Sequence, residues 1–92
     1  MFKITEASEP VKKFIYDHRA NDLTLVLTYG MFKKDASTNL SVNEFTQCIY
    51  FLESDGLISI TPKRYHQEQG TDYEFDIKIR SGLIREVESR SN

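Results

Sequence analysis

From Tyr73 to Arg80 the chain alternates without a break, with Tyr73, Phe75, Ile77 and Ile79 on one side and Glu74, Asp76, Lys78 and Arg80 on the other. An extended backbone sends successive side chains to opposite faces, so this stretch reads as a strand with one buried and one wet face. A lone strand leaves its backbone groups unpaired, and it needs a partner. The apolar run Leu57-Ile58-Ser59-Ile60-Thr61, closed by Pro62, supplies one. The connection from Pro62 through Lys63, Arg64, His66 and Gly70 to Asp72 is too long for a tight hairpin turn and polar enough to project into solvent.

Upstream of this pair the apolar period lengthens to that of a helix. Ser41-Val42-Asn43-Glu44 is a capping box, in which a serine hydroxyl and a glutamate three residues on each satisfy a backbone N–H of the helix start. Val42, Phe45, Cys48, Ile49 and Leu52 then gather on one face, and Asn43, Gln47, Tyr50 and Ser54 lie opposite, with Thr46 beside them. Asp55-Gly56 ends this helix, because glycine takes the left-handed conformation of a helix terminus without strain. Ser8-Glu9-Pro10 reads as an earlier helix start, followed by Val11, Phe14, Ile15 and His18 on one face and an end near Arg19-Ala20-Asn21. The segment from Asp22 to Lys34 satisfies two patterns at once. Leu23 to Tyr29 alternates like a strand, while Leu23, Val26, Leu27 and Met31 have helical spacing, with Asp22 as N-cap and Lys33-Lys34 in the last turn. The expectation is a helix. Asp35-Ala36-Ser37-Thr38-Asn39 reads as a loop, and Gly82 ends the final strand before an amphipathic tail of Leu83, Ile84 and Val87. The expected fold class is therefore α+β, three helices followed by a two-stranded antiparallel ribbon and a short amphipathic C-terminal tail, in a single domain over residues 1–92.

Composition narrows the function. With 92 residues, 39% of them hydrophobic, the chain has enough apolar side chains for one modest core and too many for disorder. The apolar stretches are short, and Met1-Phe2-Lys3-Ile4-Thr5-Glu6 lacks the apolar run of a secretion signal, so the expectation is a cytoplasmic protein with no membrane partner. Cys48 is the only cysteine, and with His18 and His66 scattered there is no ligand spacing for zinc. On the apolar face, Cys48 is expected to pack as a small hydrophobe. Glu68, Asp72, Glu74 and Asp76 are neighbours without the ligand pattern and central glycine of a calcium loop. There is no glycine-rich phosphate loop, nucleophile elbow or HExxH motif. The expectation is a binding protein rather than an enzyme, with no catalytic residues, metal or cofactor.

The run from Leu40-Ser41-Val42-Asn43-Glu44-Phe45 to Phe51-Leu52-Glu53-Ser54-Asp55-Gly56-Leu57-Ile58, where an apolar helix closes on Leu-Glu-x-x-Gly-Leu-Ile, resembles the recognition-helix end of the winged-helix family. The resemblance covers about half of the chain, Leu40 to Ile79, and implies a winged-helix fold in which the strand pair and its loop form the wing. It implies a transcriptional regulator that reads duplex DNA, with the third helix in the major groove and the loop on phosphate or minor groove. Carried over by position, the reading residues are Asn43, Gln47 and Tyr50 and the wing residues are Lys63, Arg64 and His66. Amide side chains match adenine edges, whereas lysine and arginine hold phosphates. A homodimer would offset the small number of cations in one copy.

The family pattern places a short helix and turn directly before the reading helix, whereas only Asp35 to Leu40 separate that helix here from a long second one. The reading helix also lacks Lys and Arg, Glu44 and Glu53 flank its exposed face, and the net charge is −2. A second reading therefore stands beside the first: a protein-interaction module without DNA binding, using exposed aromatics such as Tyr16, Tyr29 and Phe51.

Overall fold

A computed structural model describes residues 2–36, 39–62 and 74–90. Its elements are α1 (Ile4–Asp17), β1 (Thr24–Thr28), α2 (Tyr29–Ala36), α3 (Val42–Ser54), β2 (Ile58–Pro62), β3 (Glu74–Ile79) and α4 (Ser81–Arg90). Among the described residues the fold is thus α+β, with four helices and a three-stranded sheet.

β3 is the central strand and runs antiparallel to both neighbours, in the order β1-β3-β2. Its alternation works as read: Phe75, Ile77 and Ile79 are buried, while Glu74, Lys78 and Arg80 are exposed. The central place follows from this clean amphipathic pattern. Ile77 faces Leu25 of β1 on one side and Ile60 of β2 on the other, so one apolar row runs across all three strands. The helices cover this face. Phe32 of α2 stacks on Phe45 of α3 with centroids 5.0 Å apart and meets Phe14 of α1 edge-on at 5.4 Å, which ties three helices into one core. Leu83 and Val87 of α4 join the same cluster.

Both ends of α3 are built as the sequence expects. The Ser41 hydroxyl accepts from the Glu44 N–H at 3.1 Å, and the Ser41 N–H donates to Glu44 Oε1 at 3.0 Å. At the other end Gly56 has φ of 78°, Gly56 N–H donates to the Glu53 carbonyl at 3.0 Å, and Leu57 N–H donates to the Leu52 carbonyl at 3.1 Å. This is the paired closure of a Schellman motif, with Leu57 and Leu52 both buried beneath it.

The structure corrects four expectations. Asp22 to Lys34 is a strand followed by a short helix, because β3 needs a partner on its second edge. Leu25 and Leu27 fill that place opposite Ile77 and Phe75. Thr28 then starts α2 by accepting the Met31 N–H at 3.2 Å. Leu23 enters the strand with φ of 62°, while its carbonyl accepts from Ile79 N–H at 2.8 Å. The first helix begins a turn earlier than Ser8: its apolar face already includes Ile4 and Ala7, and Ser8 is fully buried with its hydroxyl donating to the Ile4 carbonyl at 2.6 Å. Pro10 lies inside α1 rather than in its first turn. His18, at the end of α1, is exposed with its ring stacked 4.0 Å from that of Phe14. The amphipathic tail is a helix, α4, held to α1 by Lys12 and Glu86 at 2.8 Å.

Candidate functional site

Because α3 buries Phe45, Cys48, Ile49 and Leu52, the opposite side of the same helix must face solvent. Asn43, Gln47, Tyr50 and Ser54 are all exposed there, as the helical period requires. Asn43 and Gln47 are exposed, and among the described residues neither makes a side-chain hydrogen bond. Thr46, beside them, is half-buried, and its hydroxyl donates to the Val42 carbonyl at 2.9 Å. Glu44 is turned back onto the Ser41 N–H and so lies over the helix start.

Tyr50 is 46% exposed, and its ring meets Phe75 edge-on with centroids 6.1 Å apart. Phe75 lies near the start of β3, in register with Pro62 at the end of β2. Tyr50 therefore lies beside the paired ends of β2 and β3. Asn43, Gln47 and Tyr50 are together on one face, whereas Lys63, Arg64 and His66 lie outside the described residues.

Lys33 and Lys34 are exposed in the last turn of α2, with Lys33 Nζ 5.9 Å from the centre of the Tyr29 ring. Glu53 is exposed toward the C-terminal end of α3. The aromatics proposed for a protein partner are engaged elsewhere. Tyr16 is half-buried, donates its hydroxyl to Glu88 at 2.8 Å and lies under the Arg19 guanidinium. Tyr29 donates to the Leu40 carbonyl at 2.6 Å, and Phe51 is half-buried. The exposed aromatic on α3 is Tyr50 instead. Helical spacing places Tyr50 outward, but the engagement of the other three in tertiary packing has no local signal.

Elsewhere, an open groove of about 660 Å³ lies between the first half of α1 and the start of α3, lined by Phe2, Lys3, Ala7, Pro10, Leu40 and Glu44 among others. Cys48 is fully buried as expected, and burial pushes its thiol pKa up, with the Ser8 hydroxyl pulling the other way. Among the described residues no group of His, Cys, Asp and Glu side chains comes together to hold a metal, and no helix is long and apolar enough to cross a membrane.

No protein-family model matches this chain, and neither the curated proteins nor the solved structures contain a match to it.

Proposed function

We propose that this chain is a small winged-helix protein that binds duplex DNA, as a transcriptional regulator, with α3 in the major groove and the 63–73 segment as its wing. The observation that carries the reading is the exposed row Asn43, Gln47 and Tyr50, whose amides bond to no other described residue and whose Tyr50 meets Phe75 at the paired ends of β2 and β3. The element order supports it further. With β1 separated from α2, a short helix and a brief connection directly precede α3, as the resemblance expects. A helix of 13 residues is about 20 Å long at 1.5 Å per residue, ample to lie in a groove about 12 Å wide. Lys63 and Arg64 then serve as phosphate anchors, with His66 beside them, and two copies on a two-fold site double the number of such anchors.

The lack of Lys and Arg on α3 favours the second reading, in which the same face, with Tyr50 at its centre, meets a protein. Fluorescence anisotropy with random duplexes over a salt series separates the two. DNA binding predicts measurable affinity at low salt, and Lys63→Ala with Arg64→Ala reduces the salt slope by about 2, at roughly 0.9 for each phosphate no longer neutralised. A wild-type protein that binds no duplex at low salt leaves protein recognition as the reading.

A further inference from the structure

We infer that α3 selects duplexes carrying A·T pairs and does not read guanine, with Asn43 and Gln47 each meeting an adenine edge; this rests on the DNA reading above. Guanine presents only acceptors in the major groove, N7 and O6, and is held by the paired donors of arginine or by lysine. Val42–Ser54 contains neither. A carboxamide offers one donor group and one acceptor, and that pair matches adenine, whose N7 accepts and whose N6 donates. Both amides are exposed on the outer row, and neither bonds to another described residue.

The neighbouring side chains favour the other half of the same base pair. The Thr46 hydroxyl donates its one proton to the Val42 carbonyl, and the side chain also carries a methyl group beside the outer row. Tyr50 adds an exposed aromatic ring that meets Phe75 edge-on. Apolar groups of this kind contact the thymine methyl. Glu44, which could accept from cytosine N4, is drawn toward the helix start by the bond from the Ser41 N–H to its Oε1. Asn43 and Gln47 are four residues apart, about 6 Å along the helix at 1.5 Å per residue. With base pairs stacked about 3.4 Å apart, they reach adenines separated by about two steps.

The test uses the whole chain and three labelled duplexes of equal length at low salt: a mixed A·T sequence, a mixed G·C sequence, and the A·T sequence with every adenine replaced by 7-deazaadenine. That base keeps its pairing and its minor-groove edge but lacks N7. The expected result is binding to the A·T duplex about 10-fold tighter than to the G·C duplex, with most of the advantage gone in the 7-deazaadenine duplex. The variant Asn43→Ala/Gln47→Ala binds all three within about twofold of one another, at the affinity wild type shows for G·C. Equal wild-type binding to the A·T and G·C duplexes overturns the inference and leaves DNA binding intact. A preference that survives both 7-deazaadenine and the double substitution does the same, since it then arises outside α3. Absence of binding to all three duplexes removes the DNA reading itself.

Discussion

Two surfaces of this molecule treat their polar groups in opposite ways. Where α1 meets α4, the polar groups satisfy one another. Lys12, whose side chain is only 9% exposed, pairs with Glu9 at 2.9 Å and Glu86 at 2.8 Å, and Tyr16 donates to Glu88 at 2.8 Å. On the outer face of α3, the amides of Asn43 and Gln47 have no such partners among the described residues. A polar group bonded inside the chain contributes to folding, and its removal strands its partner. An amide left in water contributes almost nothing to folding, so the fold gives no reason for it to be there. The contrast separates polar groups used within the described fold from polar groups exposed to solvent.

The largest effect comes from within α3 itself. Phe45 is fully buried and packs on Phe32 and Tyr29, so Phe45→Ala lowers stability by about 3 to 5 kcal/mol in a urea titration. A loss below about 1 kcal/mol would mean that the inner face of α3 is not the core described here.

Next is the α1–α4 contact. Breaking a fully buried ion pair costs about 3 to 5 kcal/mol, but Glu9 and Glu86 remain 37% and 41% exposed and regain water when Lys12 is removed. Lys12→Ala is therefore expected to cost about 1 to 3 kcal/mol, and Lys12→Met less, because it keeps the packed stem. Burial alone lowers the Lys12 pKa, but hydrogen bonds and charge from Glu86 and Glu9 outweigh it and leave it above the ordinary 10.5. The folded state thus holds this proton more tightly than the unfolded one. The stabilisation is complete below pH 10.5 and is lost as pH rises through the folded value. Urea midpoints of wild type and Lys12→Met should converge in that alkaline range, and parallel curves would remove the ion pair from the account.

How much of this was legible in the sequence depends on how local each cause is. The β3 alternation, the Ser41 capping box and Gly56 are decided by neighbours in sequence, and all three read correctly. Residues 22–34 misread because Leu23, Val26, Leu27 and Met31 satisfy a helix as well as a strand. What decides between them is the open edge of β3, some fifty residues away in sequence. Pro10 misled for a different reason. It marks a helix start only when it occupies the first turn, and Ile4 and Ala7 extend the apolar face ahead of it. The outer row of α3 was legible from periodicity alone. The fate of Tyr16 was not, since its partner Glu88 lies 72 residues along the chain.

Ser41 tests the contrast at its boundary, being exposed yet bonded within the chain. Ser41→Ala removes the oxygen that accepts from Glu44 N–H and should cost about 1 kcal/mol, visible as a lower melting temperature. Ser41→Asp, which restores an acceptor at the helix start, should recover most of it. No recovery would mean that Ser41 acts through something other than its cap.

The smallest effect is the one the comparison depends on most. Asn43 and Gln47 are exposed, have no side-chain partners to strand among the described residues and occupy helical positions where alanine is the better helix former. Asn43→Ala and Gln47→Ala should each change stability by less than about 0.5 kcal/mol, with Asn43→Ala the nearer to a gain. Because the two residues share one face, the double variant also tests whether they interact, and the single effects should add within about 0.5 kcal/mol. If instead either substitution cost as much as Lys12→Ala, that amide would be bonded in the folded state and the division between polar groups used within the fold and those exposed to solvent would fail at α3. If both are neutral, any fall in ligand affinity in the same variants arises at the binding face rather than in the fold, because urea titration and binding are measured on one preparation and only the second changes.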